Sequence, residues 1–303
     1  MSDLYKDINT VVVGSINMDI VFGMERVPDT GENLLGTTYS YAFGGKGANQ
    51  ATALAKLGAN VRMVGKVADD TNGAKLIKNL EDNNVDTSFV DTTGSQTGLA
   101  AILIDGEGRN RIVVYEGANK EIEPNEAIKG IDDTIDLLLV QFETAEDVVI
   151  KSVNQAIEKN ITTVIDCGPA KSFNLEAMQG ATIISPNESE CLALTGISPD
   201  NEDNILKASK KLMARSLAKY VVLKLGERGC AIFDGNDLSL LPAYKTTVAD
   251  TTAAGDCFTA AMALEYRKSK DIFKACDLGN KAGAYAVSKL GAQSSMPSLE
   301  ELL

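Results

Sequence analysis

Histidine is absent from all 303 residues. That removes Ser-His-Asp and Cys-His catalysis and every histidine-ligated zinc or iron site. A general base must come from Asp, Glu, Lys, Tyr or Cys. Cysteine is sparse as well. Cys167, Cys191, Cys230, Cys257 and Cys276 are odd in number, widely spaced and without a CxxC pair. Neither a disulfide framework nor a thiolate metal site is expected; the cysteines read as small core residues in a reducing compartment. Long apolar runs are missing. No segment approaches the roughly 20 apolar residues of a membrane-spanning helix, and the first seven residues lack a signal-peptide core, so a cytoplasmic location is expected. Positive charge is in deficit, with a formal net charge of −13. That balance disfavours nucleic acid and anionic membranes as partners. A phosphorylated ligand remains open, because backbone N–H groups and a bound cation can hold phosphate. There is no GxxxxGK[ST] run, and the glycines at 44–47 do not fit G-x-G-x-x-G.

What is present is a globular profile, 44% hydrophobic and 23% charged, enough for one large α/β domain or two ordinary ones. Residues 10–13 read as a buried strand ending at Gly14; 17–22 stay extended, and 28–36 carry turn residues. Apolar spacing predicts helices over 48–57 and 73–80, with a core strand over 61–67 between them. Strands over 97–104 and 111–115 flank a turn-rich segment, a hairpin signal. From residue 137 onward, strands over 137–141, 162–166, 181–184 and 220–225 alternate with helices over 145–158 and 203–217. Such alternation predicts a mostly parallel sheet covered by helices on both faces. Residues 230–233 and 238–241 form a second hairpin, and helical patterns over 254–268 and 272–289 close the chain. One α/β domain over 1–303 is expected. Its small β-rich excursion would be built from two segments, about 15–43 and 96–117.

The strongest chemical signal is Ala253-Ala254-Gly255-Asp256 ahead of an apolar helix. Small residues there let a ligand approach the backbone. The first-turn N–H groups lack internal partners, and the helix end carries about half a positive charge, so an anion can sit there. Asp256 is either a helix-stabilising acid or the group that takes a proton from an attacking hydroxyl. Asn17 and Asp19, two apart on an extended chain, share a face and suit vicinal sugar hydroxyls; an Asx turn explains them too. Gly44-Gly45-Lys46-Gly47-Ala48-Asn49-Gln50 is either a helix-entry turn or a loop offering backbone N–H groups to a ligand. Asn187 and Glu190, three apart, mark either a plain helix start or an amide–carboxylate pair able to hold Mg²⁺ through water.

Taken together, the runs GSINMD at 14–19, AFGGKGANQA at 42–51, SPNESE at 185–190, LGERG at 225–229, DTTAAGDCF at 250–258 and GAQSSMP at 291–297 span nearly the whole chain. In content and order they resemble the ribokinase-like family of sugar kinases. The resemblance implies a doubly wound, mostly parallel sheet flanked by helices, with a small β-sheet lid through which two chains pair as a homodimer. It implies ATP-dependent phosphorylation of the primary hydroxyl of ribose. Another small sugar (2-deoxyribose, fructose) or a nucleoside is the alternative acceptor, and a non-catalytic sugar- or nucleotide-binding regulator is the reading from a different class. Residue by residue, Asn17, Asp19, Gly45, Lys46, Gly47, Ala48, Asn49 and Glu143 would bind the sugar. Asp256 would be the catalytic base, with the backbone of Ala253, Ala254 and Gly255 as the anion hole. Asn187, Lys224, Gly226, Gly229, Gly255 and Asn280 would contact ATP, and Glu190 with Asn187 would organise Mg²⁺ through water. Asp250, Thr252, Ala286, Lys289, Gly291 and Ser295 would hold K⁺ or another monovalent cation, several through backbone carbonyls. The family commonly has glycine where Ala253 stands.

Overall fold

The computed structural model describes residues 4–303. Its strands are β1 (Asn9–Val13), β2 (Asn17–Gly23), β3 (Thr38–Gly44), β4 (Asn60–Ala68), β5 (Val85–Gly94), β6 (Gly98–Ile104), β7 (Asn110–Tyr115), β8 (Leu137–Gln141), β9 (Thr162–Asp166), β10 (Ile183–Ser185), β11 (Tyr220–Lys224), β12 (Cys230–Phe233) and β13 (Leu238–Leu241). Nine of them form one sheet in the order β13-β12-β11-β10-β9-β8-β1-β4-β5, and β3-β2-β6-β7 form a second, smaller one. The large sheet is parallel from β5 to β11 and antiparallel only over β11-β12-β13.

The central strands are continuous apolar runs because both sides are covered. Along β1, Val12 faces one apolar cluster while Val11 and Val13 face the other; along β8, Leu137 and Leu139 part from Leu138 and Val140 in the same way. The first cluster packs under the helices Lys46–Lys56, Thr71–Asp82, Ala254–Ser269 and Ile272–Val287. The second lies under Glu146–Glu158 and Glu202–Ser216. Chain order reverses between β1 and β8, since β4 and β5 lie on one side and β9, β10 and β11 on the other. In an open α/β sheet the crevice beyond the carboxyl ends of such a switch point is where ligands bind. Gly14, Glu143, Asp166, Asn187 and Lys224 all fall at or just past those carboxyl ends.

Two strands escape the sequence pattern. The β5 segment is mostly polar, and as an edge strand it buries few positions. The exposed β3 pairs antiparallel with β2. The first helix starts at Lys46, two residues earlier than apolar spacing predicts, because small and polar residues at 46–47 carry no apolar signal. Among the described residues no helix is long and apolar enough to cross a membrane.

Candidate active site

The glycine loop is shaped by contact with the end of β1. Gly45 caps the Lys46–Lys56 helix at φ 87°, a left-handed conformation that favours glycine. A Cβ on Gly47 would stand 2.6 Å from the carbonyl carbon of Gly14, so helix and strand end meet backbone to backbone. The Ala48 N–H donates to the Ser15 carbonyl at 2.9 Å. Glu143, just past β8, closes the loop by accepting from the Lys46 backbone N–H at 2.9 Å and from the Ser15 hydroxyl.

Asn17 and Asp19 occupy one face of β2, both buried. Asn17 Oδ1 accepts from Asn119 Nδ2 at 2.7 Å, and Asn119 Oδ1 in turn accepts from the Ile16 N–H at 2.8 Å. Asn119 is a site residue that sequence reasoning misses; it lies in a short 3-10 turn with no motif around it. Burial first, then the charges of Glu143 and Asp256, push the Asp19 carboxyl up to about 7. Those charges connect β2 to the helix that carries Asp256.

That helix, Ala254–Ser269, begins without a side-chain cap, and its N-cap Ala253 sits at φ 58°. Asp256 is 3% exposed. Its Oδ2 accepts from Asn49 Nδ2 at 2.9 Å, its Oδ1 accepts from Gln50 Nε2 at 3.2 Å, and Lys46 Nζ stands 3.5 Å from Oδ1. Burial works against the Lys46 ammonium, yet Asp256, Asp166, Glu190 and Glu143 together outweigh it and hold the group above its usual range. Lys224 behaves likewise: burial lowers it, but Asp166 and Glu190 prevail. Its Nζ donates to Asp166 Oδ2 at 2.9 Å, and a Cβ on Gly255 would stand 3.8 Å from that ammonium. Positive charge therefore lies beside the uncapped helix start.

Asn187 and Glu190 form a reciprocal capping box on the helix Glu188–Thr195. The plain helix-start reading is thus realised, and burial first pushes the Glu190 carboxyl up. Gly168 links this pair to the glycine loop: a Cβ there would stand 2.7 Å from both Lys46 Nζ and Glu190 Oε1. Gly226 opens a short exposed turn at φ 57°, whereas Gly229 is packed so closely that a Cβ would stand 2.0 Å from the Leu241 carbonyl oxygen. Asn280 reaches the same loop, donating to the Pro242 carbonyl at 3.2 Å.

Asp250 ties two segments together. It accepts from the Thr252 hydroxyl at 2.6 Å and from the Gly291 N–H at 2.9 Å. Ala286 is buried, and its carbonyl accepts from the Lys289 N–H at 3.2 Å. The Lys289 side chain turns outward to Tyr285 and Glu301, leaving its backbone carbonyl as the oxygen it can offer a cation. The Ser295 hydroxyl donates to the Ala292 carbonyl at 2.8 Å.

The pfkB family carbohydrate kinase profile matches residues 7–299. A ribokinase of Bacillus subtilis (strain 168) is 36% identical over 301 residues, which cover 97% of this chain and 99% of that one. A deoxyribokinase of Salmonella typhi is 30% identical over 294 residues, 96% of each chain. Among solved structures, a ribokinase of Arabidopsis thaliana complexed with ribose and ATP superposes with a TM-score of 0.90 at 30% identity, over 97% of both chains.

Proposed function

This chain belongs to the pfkB family of carbohydrate kinases, and from that premise we propose that it transfers the γ-phosphoryl group of ATP to the primary hydroxyl of ribose, giving ribose 5-phosphate and ADP. The observation that carries the reading is the meeting of three parts at one buried carboxylate. Asp256 lies in the first turn of an uncapped helix, accepts from Asn49 of the glycine loop, and shares its field with Asp19 on the small sheet.

In this reading the sugar lies between β2 and the glycine loop. Asn17, Asp19, Asn49 and Glu143 take its hydroxyls, and Gly45, Lys46, Gly47 and Ala48 shape the wall. Asp256 accepts the proton of the attacking hydroxyl. Phosphoryl transfer runs through a loose transition state, so placement and electrostatics carry the rate. The N–H groups of Ala253–Gly255, backed by Lys224, face the developing charge. The ATP contacts would be Asn187, Lys224, Gly226, Gly229 and Asn280, the last two meeting at the loop around Pro242.

Glu190 fits a Mg²⁺ ion held through water, because each of its oxygens accepts from Asn187 and keeps a lone pair. Bound there with the nucleotide, the ion would neutralise phosphate charge. Asp250 and the carbonyls around Ala286, Lys289 and Gly291 are the hard oxygen donors a K⁺ ion takes, and its charge would steady the Ala253–Asp256 turn. A reducing cytoplasm suits the five free, buried cysteines. The small sheet would act as a lid, excluding water that competes for the phosphoryl group. Its face opposite Asn17 and Asp19 carries exposed Phe22, Tyr39, Tyr41, Val113 and Tyr115, an apolar patch suited to pairing two chains.

The second acceptor is 2-deoxyribose, which the likeness to a deoxyribokinase favours. The test is ADP release with Mg-ATP and each of ribose, 2-deoxyribose, fructose and adenosine, with and without K⁺. Ribose should give the highest kcat/KM. A clear preference for fructose or adenosine overturns the assignment, and calorimetric ribose binding without turnover makes the chain a regulator.

A further inference from the structure

Behind Asp256 lie three buried carboxamides, Gln50, Gln141 and Gln293, that neither the sugar nor the nucleotide contacts use. The geometry points to Gln50 as a positioning residue for the base: its single side-chain NH₂ group bridges the carboxylates of Asp256 and Asp166 and so fixes the plane in which Asp256 meets the attacking hydroxyl. This rests on Asp256 being the base.

Gln50 is fully buried. Its Nε2 lies 3.2 Å from Asp256 Oδ1 and 3.0 Å from Asp166 Oδ2. Chemistry decides which end of the amide faces them. Carboxylate oxygens accept hydrogen bonds, so the N–H end of the amide points their way. The Gln50 Oε1 must then turn toward β8, where Gln141 Nε2 donates to it at 2.7 Å. Gln141, itself fully buried, therefore locks the amide in the orientation the base needs.

The other oxygen of Asp256 is held by the same logic. Asn49 Nδ2 donates to Oδ2 at 2.9 Å, and Asn49 Oδ1 accepts from Gln293 Nε2 at 3.3 Å. Each carboxylate oxygen thus has one amide donor with a second amide behind it. Asp166 is anchored independently by Lys224 at 2.9 Å, the Thr259 hydroxyl at 3.0 Å and the Gly168 N–H at 3.1 Å. It serves as the fixed post to which Gln50 ties the base. A base works only within hydrogen-bond reach of its proton, and small misplacements cost large factors in rate.

Gln50 touches neither substrate in this arrangement, so its loss belongs in kcat. The experiment is steady-state kinetics with ribose and Mg-ATP on Gln50→Leu, with Asp256→Asn alongside and melting temperatures to report folding. Expected is a kcat lower by about 10- to 100-fold, the value of one hydrogen bond to a charged group, with both KM values within about threefold. A folded Gln50→Leu with native kcat, or with its defect in KM alone, overturns the inference. If Gln50→Leu does not fold, Gln50→Asn decides: it keeps a buried amide but, one methylene shorter, withdraws the NH₂ from the two carboxylates it bridges, so kcat should fall while both KM values hold, and an unchanged kcat overturns the inference. Near-native turnover by Asp256→Asn would instead remove the base assignment, and this inference with it.

Discussion

Burial, and then the negative charges of Glu143 and Asp256, move the Asp19 carboxyl from its ordinary 3.8 up to about 7. The unfolded chain ionises near the lower value and the folded chain near the higher. Between them the folded state holds an extra proton, so this group costs stability progressively as pH rises through that window and by a constant amount above it. Asp19→Asn removes the titration. Its stability advantage over the native protein should grow between about pH 4 and 7, at up to about 1.4 kcal/mol per pH unit, then level off. Denaturant unfolding across that range checks it, and a pH-independent difference contradicts it. Ribose binding should weaken in the same variant, because the amide offers one acceptor oxygen where the carboxyl offers two. Asp19, Asn17 and Asp256 were legible because each sits in a short run whose local geometry already suggests chemistry. Asn119, Gln50, Gln141, Asp166 and Gln293 were not. Their side-chain partners lie from 58 to 244 residues away, and no local pattern announces such pairings. Asp166 left one usable trace, a charged residue ending an otherwise uncharged strand that is buried throughout.

At the scale of elements, the turn into the Ala254–Ser269 helix carries visible strain. Ala253 adopts φ 58°, ψ 9°, a left-handed conformation that costs a residue with a Cβ roughly 1–2 kcal/mol. Ala253→Gly should relieve that strain and return part of it as unfolded-state entropy, a net gain of about 0.5–1 kcal/mol. Urea denaturation measures it, and a destabilised variant would show that the alanine methyl packs more than it strains. The strand–helix alternation was readable because central parallel strands are apolar throughout and the helices between them carry 3.6-residue spacing. At the edges the same logic fails. β5 and β3 are held chiefly by backbone pairing with β4 and β2, which asks little of their side chains.

At the scale of the whole molecule, the switch point between β1 and β8 gathers the glycine loop, Glu143 and Asp166 at one crevice, and the small sheet brings Asn17 and Asp19 over it. The outer face of that sheet is where pairing of two chains is proposed. Val113 on β7 is 69% exposed there, so Val113→Lys should convert a dimer to a monomer in sedimentation; a native sedimentation profile would exclude this face. The base assignment has the most direct test. Asp256→Asn keeps the shape of the site and removes the proposed proton acceptor, so kcat should fall by at least roughly 10²–10⁴-fold while ATP affinity, measured by calorimetry, stays within about threefold. Turnover within a few-fold of the native enzyme would contradict the account at its centre.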